Sequence, residues 1–228
     1  YRNGLFPIFF IVLIVVTRPM PASKEMVILR YVIGGAVAFS GQVIRAMTIG
    51  LAYIIRGGRN RRVYAEDLVT SGIFSHCRNP LYTGNILVVI GLAIVANSFA
   101  FYIIGIPAFI FMYYAIIRAE ETFLEEKFGP QYVEYCRTAN RFIPRLKGLR
   151  ETLSSMRFNW ARLVLKEYGT TYVWIACIIG LIARNHYLKY GPNEDVIVYK
   201  ISGISFLVLS ILYGIARYLK KSGRLVDH

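Results

Sequence analysis

Apolar residues run along this chain in blocks of bilayer length, separated by short polar segments. A helix needs about 20 apolar residues to cross a hydrocarbon core, and the blocks predict six spans. The first covers residues 4–17 and is stopped by Arg18-Pro19. The second, about 26–55, is interrupted by Gly34-Gly35 and Gly50 and contains Arg30 and Arg45. The third, 81–96, turns at Asn97-Ser98 into the fourth, 99–117, where Pro107 is an expected kink. The fifth and sixth cover 170–183 and 196–218. The pattern predicts an all-α, polytopic membrane protein. Its fourth helix should continue past the membrane to Phe128, where Gly129-Pro130 ends it. The basic, mildly amphipathic stretch 147–168 reads as an interfacial helix. Three regions follow: 1–64 with the N-terminal spans and a basic loop, 65–146 as a core, and 147–228 with the interfacial helix and last two spans.

Composition agrees with this reading. The 228 residues are 56% hydrophobic with mean hydropathy +0.47, too apolar for an ordinary soluble domain. The net charge of +14 raises nucleic acid as a partner. The basic residues, however, lie between apolar runs, where anionic headgroups are their neighbours, so membrane lipids are expected and nucleic acid is not. Segment 56–80 has five Lys/Arg against two acids, 118–168 ten against seven, and 217–228 four against one. The loops 17–25 and 184–195 have two Lys/Arg each. Six spans place the three rich segments on one side, which the positive-inside rule makes the cytoplasm, with both termini there. The three cysteines, Cys77, Cys136 and Cys177, have neither disulfide-framework nor zinc spacing, and no metal is expected. The chain opens on Tyr1, so a preceding segment is expected, and no cleavable secretory signal is evident.

Two long polar segments flank the hairpin of the third and fourth spans, and both meet at its open end. "GIFSHCRNPLYTGN" (72–85) enters the hairpin and "RAEETFLEEKFGPQYVEYCRTANRFIPRL" (118–146) leaves it. Arg78, at the border, is either a snorkelling anchor or a fork for a carboxylate or phosphate. Asn79-Pro80 favours an extended backbone before the helix, whose first turn suits Pro80 and whose N–H groups can meet an anion. Glu120, Glu121, Glu125 and Glu126 share one helix; Glu121 and Glu125, four apart, should face the same way. They are either a solvated stalk or acceptors for a ligand's hydroxyl or ammonium groups. An Arg and carboxylates around one pocket suit a zwitterionic ligand. Cys77 reads as a small packing residue, and Gly34-Gly35 and Gly41 as sites of close helix packing. Tyr53, Tyr113, Tyr114, Trp160 and Trp174 read as an interfacial belt or a packed helix face.

"LVTSGIFSHCRNPLYTGN" (68–85) followed by "EETFLEEKFGPQYVEYCRTANRFIP" (120–144) resembles the paired motifs of the membrane methyltransferases related to isoprenylcysteine carboxyl methyltransferase and the phospholipid methyltransferases. The resemblance covers roughly residues 65–146. It implies S-adenosylmethionine, with S-adenosylhomocysteine as product, bound at the cytoplasmic end of the helices. It also implies a lipophilic acceptor: a prenylcysteine-type carboxylate, a lipid amine or another small lipophilic nucleophile. Arg78, Pro80, Tyr82 and Gly84 match the first motif; Glu120, Glu121, Leu124, Phe128, Gly129, Tyr132, Tyr135 and Pro144 match the second. His76, Asn79 and Asn85 join Arg78, Pro80, Tyr82, Gly84, Glu120, Glu121 and Tyr132 as cofactor-binding candidates. Arg78 and Glu121 are the catalytic candidates. Asn79 stands where the family usually has His, so a role needing a titrating imidazole is unmet there. Arg45, deep in the second span, is the substrate-binding candidate, with headgroup pairing as its alternative.

Two other classes stay open at this level. Membrane sterol reductases, which use NADPH, have an ending similar to "EKFGPQYVEYCRTANRFIP" (126–144). Arg30 and Arg45 also allow a transporter or lipid-binding protein, since charge inside a span is often functional. The sequence shows no inverted repeat of the transporter kind. It leaves the acceptor and the oligomeric state open.

Overall fold

The computed structural model describes residues 9, 11–51, 56–59, 62–65, 67–193 and 195–225. Its helices are α1 (Lys24–Leu51), α2 (Pro80–Ala96), α3 (Ile106–Phe128), α4 (Pro130–Thr138), α5 (Leu149–Ser155), α6 (Trp160–Tyr190) and α7 (Val196–Lys221). One departure from the all-helical expectation is a small antiparallel hairpin, β1 (Arg56–Arg59) with β2 (Arg62–Ala65), in the basic loop after α1. Among the described residues, three helical stretches are long and apolar enough to cross a bilayer: Lys24–Leu51, Phe101–Phe128 and Val196–Lys221. Pro80–Ala96 is apolar but shorter. Residues 11–16 of the expected first span are helical, while its residues 4–8 and 10 lie outside those described, as does Tyr53.

Helices α1 and α2 pack backbone to backbone. A Cβ on Gly34 would lie 2.7 Å from the Gly91 carbonyl oxygen, and one on Gly91 2.5 Å from that of Gly34. Gly41 and Gly84 form a second reciprocal pair at 2.5 and 2.7 Å. The two pairs are seven residues apart on each helix, so they lie on one face of each. Gly35 has nothing within 4 Å of a built Cβ, so the close approach belongs to Gly34 and Gly41. Helix α6 packs into the same groove, enclosing Ala38, Val88 and Trp174 at one level and Val95, Ala96 and Leu181 at another.

Asn97 ends α2 in the left-handed conformation (φ 50°), and the chain reverses within two residues. A π-helical segment, Phe101–Gly105, follows and runs into α3. Pro107 lacks an N–H and cannot bond the carbonyl four residues back, and the wider π turn just before it is a common way to absorb this. Gly129, at φ 53°, ends α3 at Phe128 as the sequence predicts, and Pro130 starts α4. The stretch 147–168 is not one interfacial helix. It divides at Met156–Asn159 into α5 and the opening turns of α6, where the Asn159 side chain caps the Arg162 N–H. The predicted fifth span is therefore the later part of a 31-residue helix. No residue of α7 is buried; it carries Tyr213 and Phe206 against Tyr168 and Tyr172 of α6.

Candidate active site at the hairpin mouth

The two motifs are joined first by their backbones. Cys77 and Asn140 form a parallel bridge, the Arg78 N–H donates to the Asn140 carbonyl (2.8 Å), and the Arg145 N–H donates to the His76 carbonyl (3.0 Å). Side chains extend the seam. Tyr135 donates to the Phe74 carbonyl (2.8 Å), Thr83 to that of Phe142 (2.9 Å), and Asn79 to that of Arg141 (3.3 Å). His76 is buried with both ring nitrogens engaged, Nδ1 on the Arg145 carbonyl (2.6 Å) and Nε2 on the Thr152 hydroxyl (2.9 Å). His76 and Asn79 thus tie the entering segment to the leaving one. Cys77 is fully buried, and that burial pushes its thiol pKa up, as suits a packing residue.

Inside this seam sits a charged cluster. Glu121 is 6% exposed. Arg141 grips its carboxylate with two guanidinium nitrogens, Nε at 3.0 Å from Oε1 and Nη2 on Oε2. That bond raises the already high pKa of Arg141. Arg78 approaches from the other motif, with Nη1 3.7 Å from Glu121 Oε1 and 2.5 Å from the Cys136 sulfur. Two guanidinium groups therefore face one carboxylate. Arg78 Nε is buried and has no hydrogen-bond partner among the described residues. Tyr132 packs beside the cluster; burial first, and the Glu121 charge second, raise its phenol pKa, so it stays protonated. In the first turn of α2, Tyr82 donates to Glu120 Oε1 at 2.6 Å. Glu125 and Glu126 are exposed. Glu125 shares Glu121's helical face by spacing, but Arg141 and Arg78 cover only Glu121.

Arg45 is held away from that cluster by a buried network. Its Nε and Nη2 donate to the two oxygens of Glu167 (2.9 and 2.5 Å), and its Nη1 donates to Asn85 Oδ1. Asn85 in turn donates to the Tyr113 hydroxyl (2.9 Å), and the Tyr113 ring meets the Tyr82 ring edge-on at 5.2 Å. Gln42 donates to Glu167 (3.2 Å) and accepts from the Trp174 indole (2.9 Å). Gly84 makes room for this: a Cβ there would lie 2.6 Å from Arg45 Cγ. Pro80 is buried as the first residue of α2. Sequence reasoning missed Arg141 and Glu167. A signal existed for each: a buried carboxylate and an intramembrane Arg both call for a counter-charge.

Residues 29–131 match the family described as phospholipid methyltransferase. The chain is also 46% identical over 99 residues to the cobalt-zinc-cadmium resistance protein CzcN of Cupriavidus metallidurans, covering 43% of each chain. It is 39% identical over 86 residues to the nickel-cobalt-cadmium resistance protein NccN of Alcaligenes xylosoxydans xylosoxydans, covering 38% of this chain and 40% of the relative. The chain thus aligns with about two fifths of the length of these curated relatives. No solved structure matches it.

Proposed function

We propose that this chain transfers a methyl group from S-adenosylmethionine to a lipophilic acceptor that enters from the bilayer. The observation that carries the reading is the meeting of Arg78 and Glu121, from motifs on either side of a hairpin, in one buried cluster with a surplus guanidinium. The residues fit the cofactor. An orphaned Arg78 N–H in a cluster of two cations and one anion suits the carboxylate of an amino-acid group. Glu120, engaged by Tyr82, suits the ammonium or a ribose hydroxyl. When bound, the cofactor supplies a methyl group on an activated sulfonium.

The protein's task is then alignment and exclusion of water. Arg78 orients by its planar fork, and Arg141 holds Glu121 so that Arg78 is not fully neutralised. Tyr132, kept protonated, keeps a hydrogen to donate. The buried side chains of Leu124, Tyr132 and Tyr135 wall the cluster from solvent. His76 is tied at both nitrogens and Asn79 does not titrate, which favours an acceptor that arrives as an anion. In this reading six spans cross the membrane, and the site and both termini face the cytoplasm.

Calorimetry on the purified full chain tests the cofactor. S-adenosylhomocysteine should bind and NADPH should not, with Arg78→Lys weakening the former. The reverse preference would overturn the assignment in favour of a reductase. The metal-resistance names of the relatives bear on biological setting, and we carry that over: a strain lacking this protein should grow less well in cadmium or cobalt, and unchanged growth counts against it.

A further inference from the structure

At the opposite end of the bundle lies a cavity of about 570 Å³, bounded by the N-terminal ends of α1 and α7 and the C-terminal ends of α2 and α6. The hairpin-mouth cluster leaves it unexplained. Two buried polar atoms without a hydrogen-bond partner among the described residues belong to residues of its lining, Arg30 Nη1 and Asn97 Oδ1, while His186 Nε2 faces the Asp195 carboxylate at 3.7 Å. Asn97 is 5% exposed, and its Nδ2 is spent on the Met20 carbonyl (2.9 Å), which leaves the amide oxygen as the open group. The Tyr199 hydroxyl donates to the Gly191 carbonyl (2.8 Å), so it accepts from His186 Nδ1 (3.2 Å), which leaves Nε2 toward Asp195 Oδ2 (3.7 Å). Buried polar groups left unmade are rare and costly, and two on residues lining one cavity point to a missing partner.

The chemistry of that partner can be read from the wall. Four cationic side chains, those of Arg18, Lys24, Arg30 and Lys189, line the cavity against the one carboxylate of Asp195. That balance favours an anion. The Asn97 oxygen asks for a donor on the same molecule. The rest of the wall is largely apolar, with Val27, Ile28, Leu188 and Val198 among it. A free inorganic anion would leave most of this volume unfilled and the apolar wall uncovered. The volume falls within the roughly 300–1,000 Å³ of small-molecule sites.

We infer that this cavity is a phospholipid site, taking an anionic headgroup that carries a hydroxyl, such as phosphoglycerol, with an acyl chain along the apolar wall. Arg30 donates to the phosphate and Asn97 accepts from the headgroup hydroxyl. The site is separate from the methyl-transfer reading and stands or falls without it.

The test uses the full chain in nanodiscs with a photoactivatable phosphatidylglycerol, and maps the label by mass spectrometry. Label should concentrate in 18–31 and 182–198 of the wild-type chain, and phosphatidylglycerol should compete at least tenfold better than phosphatidylcholine or inorganic phosphate. Arg30→Gln should lower labelling there at least fivefold, while Glu121→Gln should leave it unchanged. Label spread evenly over the lipid-facing helices overturns the site, and so does wild-type labelling in Arg30→Gln. Equal competition by inorganic phosphate overturns the lipid in favour of a free anion. The wild-type map and competition need no variant, so a misfolded Arg30→Gln would not shield the proposal.

Discussion

Replacing Glu167 by Ala should be among the most damaging single changes in this protein that leave the hairpin-mouth cluster untouched. Glu167 is 3% exposed and Arg45 9%, so solvent screens neither charge. The pair is joined by two charged hydrogen bonds at 2.9 and 2.5 Å, and Asn85 is the other partner of the guanidinium. Removing one member of a buried pair leaves an uncompensated charge and costs about 3–5 kcal/mol. Net stabilities are commonly about 5–15 kcal/mol, so this is a large share. At about 2–4 °C per kcal/mol for a chain of this size, Tm should fall by roughly 6–20 °C. The double substitution Arg45→Met with Glu167→Leu removes both charges and should cost much less than the sum of the two single changes. Thermal unfolding in one fixed detergent measures all four corners of the cycle. A loss under about 2 °C for Glu167→Ala, or single effects that simply add, would refute the reasoning, and the pair would then be a loose surface contact.

The remaining predictions address the site and the packing. Arg78→Lys should leave folding intact but lower methyl transfer at least tenfold, about 1.4 kcal/mol, because Lys lacks the bidentate fork; full turnover would make Arg78 a headgroup anchor. Glu120→Gln and Glu121→Gln should weaken S-adenosylhomocysteine binding roughly tenfold, against little change for the exposed Glu125→Gln and Glu126→Gln; equal, small effects at all four would favour a solvated stalk. Gly91→Ala should destabilise by about 1–3 kcal/mol, since its Cβ would sit 2.5 Å from the Gly34 carbonyl oxygen, whereas Gly35→Ala should be neutral or stabilising; a thermal shift comparison in the same detergent checks the contrast. Tyr132 has a folded pKa above its unfolded value of about 10, so the folded state holds a proton that the unfolded state has lost. Its stabilising effect is complete below about pH 10 and declines as pH rises beyond, so Tyr132→Phe should flatten the loss of stability above pH 10 relative to wild type; parallel curves would count against a shifted Tyr132.

Much of this protein is legible without coordinates, because the bilayer imposes its own length and the two motifs each lie within a short stretch. Apolar run length located α1, α2, α3 and α7 to within a few residues, and Gly129-Pro130 ended α3 at the residue the turn chemistry requires. Arg78, Glu120 and Glu121 were found as polar groups at an apolar border, where burial needs a reason. Tertiary structure decided the rest. Helical spacing gives Glu121 and Glu125 one face, but only the folded chain brings Arg141 over Glu121 and leaves Glu125 in solvent. The same holds for Arg45, whose partner lies 122 residues away on a helix that reads as interfacial from its own composition. Local sequence sets which groups demand a counter-charge, since burial cost belongs to the residue. Which charge answers depends on packing across the whole bundle, where the glycine pairs draw α1 onto α2 and α6 delivers Glu167 to the groove between them.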